Sequence, residues 1–288
     1  VEIDVGQYLI ARAREVAEPY IALSTTRAVI VTGSAVTGSA DRYSDIDIIL
    51  YHNSLPSEED LQAWRQSMGN PELLWEISDR PNGSLVEAYL VKGIECQFGH
   101  STIALWERDM SDVLERLDYQ SNVQKALYGL LHCVPIHGCE LVSKWQDIAR
   151  QYPEPLARKM VEENLDIPAL WKFVGGLETR NASIWMYDML VEGSYKLLSI
   201  LAGLNRVYFC TFQLKRLDAV SQGFKLAPPD FQARLERVFA GSLQEGMEQF
   251  RDLVSETLDL VEAEYPDMDT AALRRKLGAR PIVWDYEH

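Results

Sequence analysis

Cationic side chains are scarce in this sequence: 28 Lys and Arg stand against 43 Asp and Glu, a formal net charge of −15. That deficit argues against partners whose affinity comes from neutralising a phosphate backbone, so no nucleic-acid partner is expected. Cysteine is scarce too. Cys96, Cys133, Cys139 and Cys210 are scattered, which is not the spacing of a disulfide scaffold. His132, Cys133, His137 and Cys139 crowd around Pro135 but match no ordinary zinc pattern, so they are expected as buried or loop residues. No run approaches the roughly 18 uncharged apolar residues that cross a bilayer, and the amino end has no basic segment leading into an apolar one. No membrane partner and a cytoplasmic location are therefore expected. Repeats and low-complexity segments are absent.

What is present is an ordinary globular balance, 47% hydrophobic and 25% charged, in 288 residues, a length that favours two domains. The most organised stretch runs from Gly33 to Ile48. Before it, Ala28-Val29-Ile30-Val31-Thr32 is a β-branched run ended by glycine; after it, Ile46 to Tyr51 is apolar enough for a buried strand. Alternation along that second strand puts Asp45 and Asp47 on one face and Ile46 and Ile48 on the other. Two carboxylates so placed suit Mg²⁺, a hard ion that shares one or two carboxylates with substrate phosphates. Gly33 lets the backbone approach a phosphate closely, and the Ser34 hydroxyl and neighbouring N–H groups can hydrogen-bond it.

Gly33-Ser34 followed by Ser44-Asp45-Ile46-Asp47-Ile48 resembles the signature of the polymerase-β-like nucleotidyltransferase superfamily. Within it, the chain looks most like the bacterial enzymes that adenylylate aminoglycosides or lincosamides. The resemblance implies an α+β fold: a nucleotidyltransferase mixed sheet flanked by helices over residues 1–105, then an α-helical bundle over 106–288 that closes the substrate cleft.

The rest of the chain is compatible with that plan. Apolar residues recur at helical spacing from Val5 to Val16, with Pro19 marking a boundary, and Ser57 with Asp60 is a helix-start pattern. Leu73–Ile77, Leu85–Leu90 and Ile94–Phe98 look extended, with turns between them. In the last, Glu95 and Gln97 share a face opposite Ile94, Cys96 and Phe98. The superfamily places a third carboxylate on a strand beside the Asp-x-Asp strand, and Glu95 matches it; Glu87 and Glu76 compete for the role. Beyond His100 helical periodicity takes over, with helices expected near 103–117, 123–131, 153–161, 167–177, 182–202, 207–222, 229–239 and 243–265.

Leu204-Asn205-Arg206-Val207-Tyr208-Phe209, then Phe212 and Lys215, resembles part of the bundle of the antibiotic-modifying relatives, where a lysine and an aromatic reach the nucleotide. Lys215 and Tyr208 match those two; equally, Tyr208 fits a core residue and Lys215 a solvated one. Arg180 is a second candidate for the triphosphate. Trp171, Trp185 and Tyr187 fit either a substrate pocket or, at helical spacing, a core.

The expected reaction is Mg²⁺-dependent transfer of AMP from ATP to a hydroxyl of a small, aminoglycoside- or lincosamide-like molecule, releasing pyrophosphate; the acidic charge balance suits a cationic acceptor or simply keeps the protein soluble. Gly33, Ser34 and Ser44 hold phosphates, Ser44 alternatively orienting Asp45; Asp45 and Asp47 bind one or two Mg²⁺ ions. Glu95 either takes the hydroxyl proton or helps hold the second ion. Two alternatives remain: a protein adenylyltransferase of the toxin–antitoxin type, and a nucleotide-binding regulator without turnover.

Overall fold

The computed structural model describes residues 4–282 and Trp284, apart from the side chains of Glu178, Phe212, Lys215 and Arg216. The chain divides into two compact units. One runs up to Arg116 and includes Ala126–Gln151; the other takes Leu117–Lys125 and the chain from Tyr152 onward. The architecture is α+β, as expected.

The first unit opens with α1 (Val5–Ile21), capped by the Asp4 carboxylate, which accepts from the Gln7 N–H at 3.0 Å. The helix continues through Pro19 to Ile21 instead of stopping before it. Then come β1 (Thr26–Thr32), a one-turn helix α2 (Ser34–Thr37), β2 (Ile46–His52), α3 (Glu58–Ser67), β3 (Glu72–Asp79), β4 (Ser84–Val91), β5 (Ile94–Thr102), α4 (Ile103–Leu114), α5 (Val123–His132), β6 (Val134–His137) and α6 (Cys139–Arg150). α3 carries the expected capping box between Ser57 and Asp60.

The strands form one sheet in the order β3-β4-β5-β2-β1-β6. β2 and β5 are parallel, with Ile46 beside Cys96 and Asp47 beside Gln97; the other neighbours are antiparallel. β6 lies in the gap between the helices expected over 123–131 and 153–161. It holds Pro135, which an edge strand tolerates because it needs no N–H on its outer side. This strand and α6 extend the sheet unit well past residue 105.

One sheet face is sealed. Leu9, Ala13, Val16 and Tyr20 of α1 and Leu61 and Trp64 of α3 form one core cluster with Ile46, Ile48, Leu50, Cys96 and Phe98. Trp64 is 1% exposed, donates to the Val16 carbonyl at 2.8 Å and stacks on Tyr20 with ring centres 5.3 Å apart. On the opposite face, Tyr51 near the end of β2 is covered by Trp106 of α4 and Trp145 of α6, at 5.5 and 4.7 Å. The start of β2, where the acidic pair lies, is only half-buried on that face.

The second unit is helical: α7 (Glu154–Glu162), α8 (Val174–Glu178), α9 (Ser183–Asn205), α10 (Leu217–Ser221), α11 (Phe231–Val238), α12 (Leu243–Glu264) and α13 (Ala271–Leu277). The helix expected over 207–222 is broken. Arg206 takes φ +53° and ends α9, and the chain re-enters helix only at Thr211, as a 3₁₀ turn leading into α10.

Candidate active site

Gly33 ends β1 with φ +73° and ψ −153°, a conformation essentially reserved for glycine. A Cβ at that position would lie 2.0 Å from Asp47 Oδ2 and 3.0 Å from its Cγ. The Asp47 carboxylate therefore rests directly on the Gly33 backbone, brought there by the β1–β2 pairing that sets Thr32 opposite Asp47. Ser34 follows at the head of α2. Its hydroxyl oxygen is buried and, among the described residues, has no hydrogen-bond partner. A buried orphan hydroxyl is costly unless something else satisfies it, and a phosphate oxygen beside the Gly33 bend would.

The parallel β2–β5 ladder supplies the rest. The residues preceding the Ile46–Cys96 pair are Asp45 and Glu95. Gln97 Nε2 donates to Asp45 Oδ2 at 2.8 Å and to Glu95 Oε1 at 3.0 Å, so one amide nitrogen ties both carboxylates together. Trp75 Nε1 donates to the same Glu95 Oε1 at 3.3 Å. Gln97 and Trp75 were given no role from the sequence. Alternation did put Gln97 on Glu95's face; nothing local could bring in Trp75, which reaches from β3 across β4.

Both competitors of Glu95 sit on the other face. Glu87 pairs with core-facing Phe98 and is fully buried, and Glu76 pairs with Glu87. The Tyr89 hydroxyl donates to Glu87 Oε1 at 2.5 Å, and burial raises the Glu87 carboxyl above its ordinary range. His100 lies 3.7 Å from Glu87 Oε2 and 3.1 Å from His52. Burial holds His100 well below its usual pKa and pulls His52 down to about 4. This chain of polar groups is walled off from the Asp45–Asp47 face.

Other expected site residues lie elsewhere. Ser44 turns away from Asp45: its hydroxyl accepts from the Asp41 N–H at 3.0 Å and lies 3.2 Å from Asp41 Oδ1, closing the loop into β2. Tyr208 is 2% exposed and packs its ring 4.7 Å from that of Tyr152, inside the helical unit. A side chain so enclosed has no ring face to offer a nucleotide as it stands. The Lys215 side chain lies outside the described residues. Trp171 is buried and donates to the Lys276 carbonyl at 3.1 Å, whereas Trp185 and Tyr187 are exposed.

Among the described residues no three His, Cys, Asp or Glu side chains are gathered closely enough to hold a metal by themselves. The donors at hand, carboxylate oxygens of Asp45 and Asp47 beside the Gly33 bend, still fit a hard ion such as Mg²⁺. Such an ion draws its remaining ligands from substrate phosphates and water. The group His132, Cys133, His137 and Cys139 likewise forms no metal cluster among the described residues. No described helix is long and apolar enough to cross a membrane.

Residues 14–123 match the model of the nucleotidyltransferase domain. No curated protein matches the chain. Among solved structures, a nucleotidyltransferase-like protein from Exiguobacterium sibiricum is similar over 88% of this chain and 74% of its own, at 12% identity and a TM-score of 0.42. The matched segment holds β1 to β5 and with them Gly33, Ser34, Asp45, Asp47, Glu95 and Gln97. The match over residues 14–123 supports a nucleotidyltransferase enzyme.

Proposed function

We propose that the enzyme transfers AMP from ATP to a hydroxyl of a small molecule, with Mg²⁺ as the metal. The observation that carries this reading is the Gln97 amide, which holds Asp45 and Glu95 together while Asp47 rests on Gly33. Gly33 and Ser34 take the β- and γ-phosphates. Asp45 and Asp47 would hold Mg²⁺, which would neutralise charge on the triphosphate and draw electrons from the α-phosphorus.

The acceptor oxygen attacks the α-phosphorus and forms the new P–O bond. The α–β bridging bond breaks, and pyrophosphate leaves with the electron pair. Glu95 accepts the hydroxyl proton, its Oε1 fixed by two neutral N–H donors. A carboxylate is a far weaker base than an alkoxide, so the transfer proceeds only as the new bond acidifies the hydroxyl. A general base contributes about 10²- to 10⁴-fold, and alignment with charge neutralisation supplies the larger share.

The test is pyrophosphate release from ATP and Mg²⁺ with a panel of aminoglycosides, lincosamides and nucleosides. Asp47→Asn is expected to abolish release while leaving the unfolding transition in place. Glu95→Gln is expected to slow release without altering its Mg²⁺ dependence, as befits a base. Wild-type release in Asp47→Asn would sink the proposal.

A further inference from the structure

From the strand register and the exposed side chains around Glu95, we infer that Trp75, Ile77 and Leu90 form the platform on which the acceptor lies. The acceptor is accordingly a hydroxylated molecule with one apolar face. This rests on the nucleotidyl-transfer reading above.

The register carries the inference. Across the half-open face, Asp47 neighbours Gln97, Gln97 faces Ala88, and Ala88 faces Trp75, so one cross-strand row runs from the proposed metal-binding carboxylate to the indole. The flanking rows set Leu90 against Glu95, and Ile77 against Val86. Large apolar side chains normally bury themselves, yet here Trp75, Ile77 and Leu90 are 37%, 66% and 39% exposed, side by side. Small Ala88 lets the indole cross β4 to reach Glu95. The pairing register slips between Leu73 and Trp75, leaving Leu74 as the extra residue of a bulge. Bulges are common beside active sites, where they re-aim a side chain.

What commits the surface to the acceptor is its continuity with the proposed base. The indole whose ring is exposed is the one whose N–H holds Glu95 Oε1. A ligand resting on that ring and on Leu90, which lies between Glu72 of β3 and Glu95 of β5, brings its hydroxyl to Glu95. A polycationic acceptor would leave these apolar groups uncovered. Trp75 therefore has two tasks: its ring face binds the acceptor and its N–H positions Glu95.

The experiment measures pyrophosphate release from ATP and Mg²⁺ with lincomycin, which has an apolar alkyl-pyrrolidine side, and with kanamycin, which is polycationic. Lincomycin is expected to be the better acceptor. Ile77→Gln is expected to raise the acceptor KM by about tenfold or more, the scale of one lost apolar contact, with the ATP KM held. Trp75→Phe keeps a ring and loses the N–H, so kcat should fall about tenfold with little change in acceptor KM. Trp75→Ala should worsen both.

Exclusive use of kanamycin, or an acceptor KM indifferent to Ile77→Gln, would overturn the platform while leaving nucleotidyl transfer standing. Conversion of a dimer to a monomer by Ile77→Gln in light scattering would assign the face to a second copy of the chain, with the same effect. Absence of release with both molecules and with the wider panel removes the transfer reading, and the platform with it.

Discussion

Replacing Gly33 by alanine separates two roles of one backbone position. At φ +73° and ψ −153° a Cβ is strained, and residues held in that region cost about 1–3 kcal/mol. Gly33→Ala should therefore lower the unfolding free energy by about that amount in urea titrations. The larger effect falls on chemistry. The new Cβ would lie 2.0 Å from Asp47 Oδ2, far inside van der Waals contact, so either the carboxylate or the bend must move. A displacement near 1 Å at a reacting centre can cost about 10²-fold, and kcat/KM for pyrophosphate release should fall by at least that factor.

Gly38 is the control. It has a similar φ of +74°, in the left-handed region, but an added Cβ there meets nothing within 4 Å. Gly38→Ala should lose about 1–2 kcal/mol of stability and keep its turnover. Equal turnover in the two variants would refute the claim that the bend seats Asp47 for catalysis.

Acid should weaken the sheet unit through His52. Its pKa is lowered to about 4 by burial, so the neutral ring is the folded form. The stabilisation is full above the unfolded value near 6.5 and is lost as pH falls towards 4, which removes about 2 kcal/mol between pH 7 and pH 5. Protonation of Glu87, whose pKa is raised, acts in the opposite sense over the lower part of that range. His52→Gln should reduce the dependence in urea titrations at several pH values, leaving the part that neighbouring His100, also held low by burial, contributes in the same sense; an unchanged slope would contradict the assignment. Trp64→Ala should cost about 3–5 kcal/mol, as an enclosed aromatic bonded to Val16 and stacked on Tyr20 is lost. A loss under 1 kcal/mol, read from the same titrations, would count against Trp64 as a core residue.

Period and local chemistry wrote several parts of this protein directly into its sequence. Alternation placed Asp45 and Asp47 on one face, Ser57 and Asp60 announced α3, and glycine at 33 marked the end of β1. Each of these depends on a few consecutive residues. The choice between Glu87 and Glu95 does not. Both faces of β4 read as apolar, and only pairing with β5 shows that Glu87 turns inward beside Phe98, where the Tyr89 hydroxyl and a raised pKa make its burial tolerable. Tertiary structure likewise turned Pro135 into an edge strand, enclosed Tyr208 against Tyr152 and left 207–210 outside the helix expected over 207–222. Trp75 belongs here as well, because an indole on β3 meets a carboxylate on β5 only once the sheet has assembled. Such contacts join residues far apart in sequence, and strand register, which no short-range period encodes, decides which of them meet.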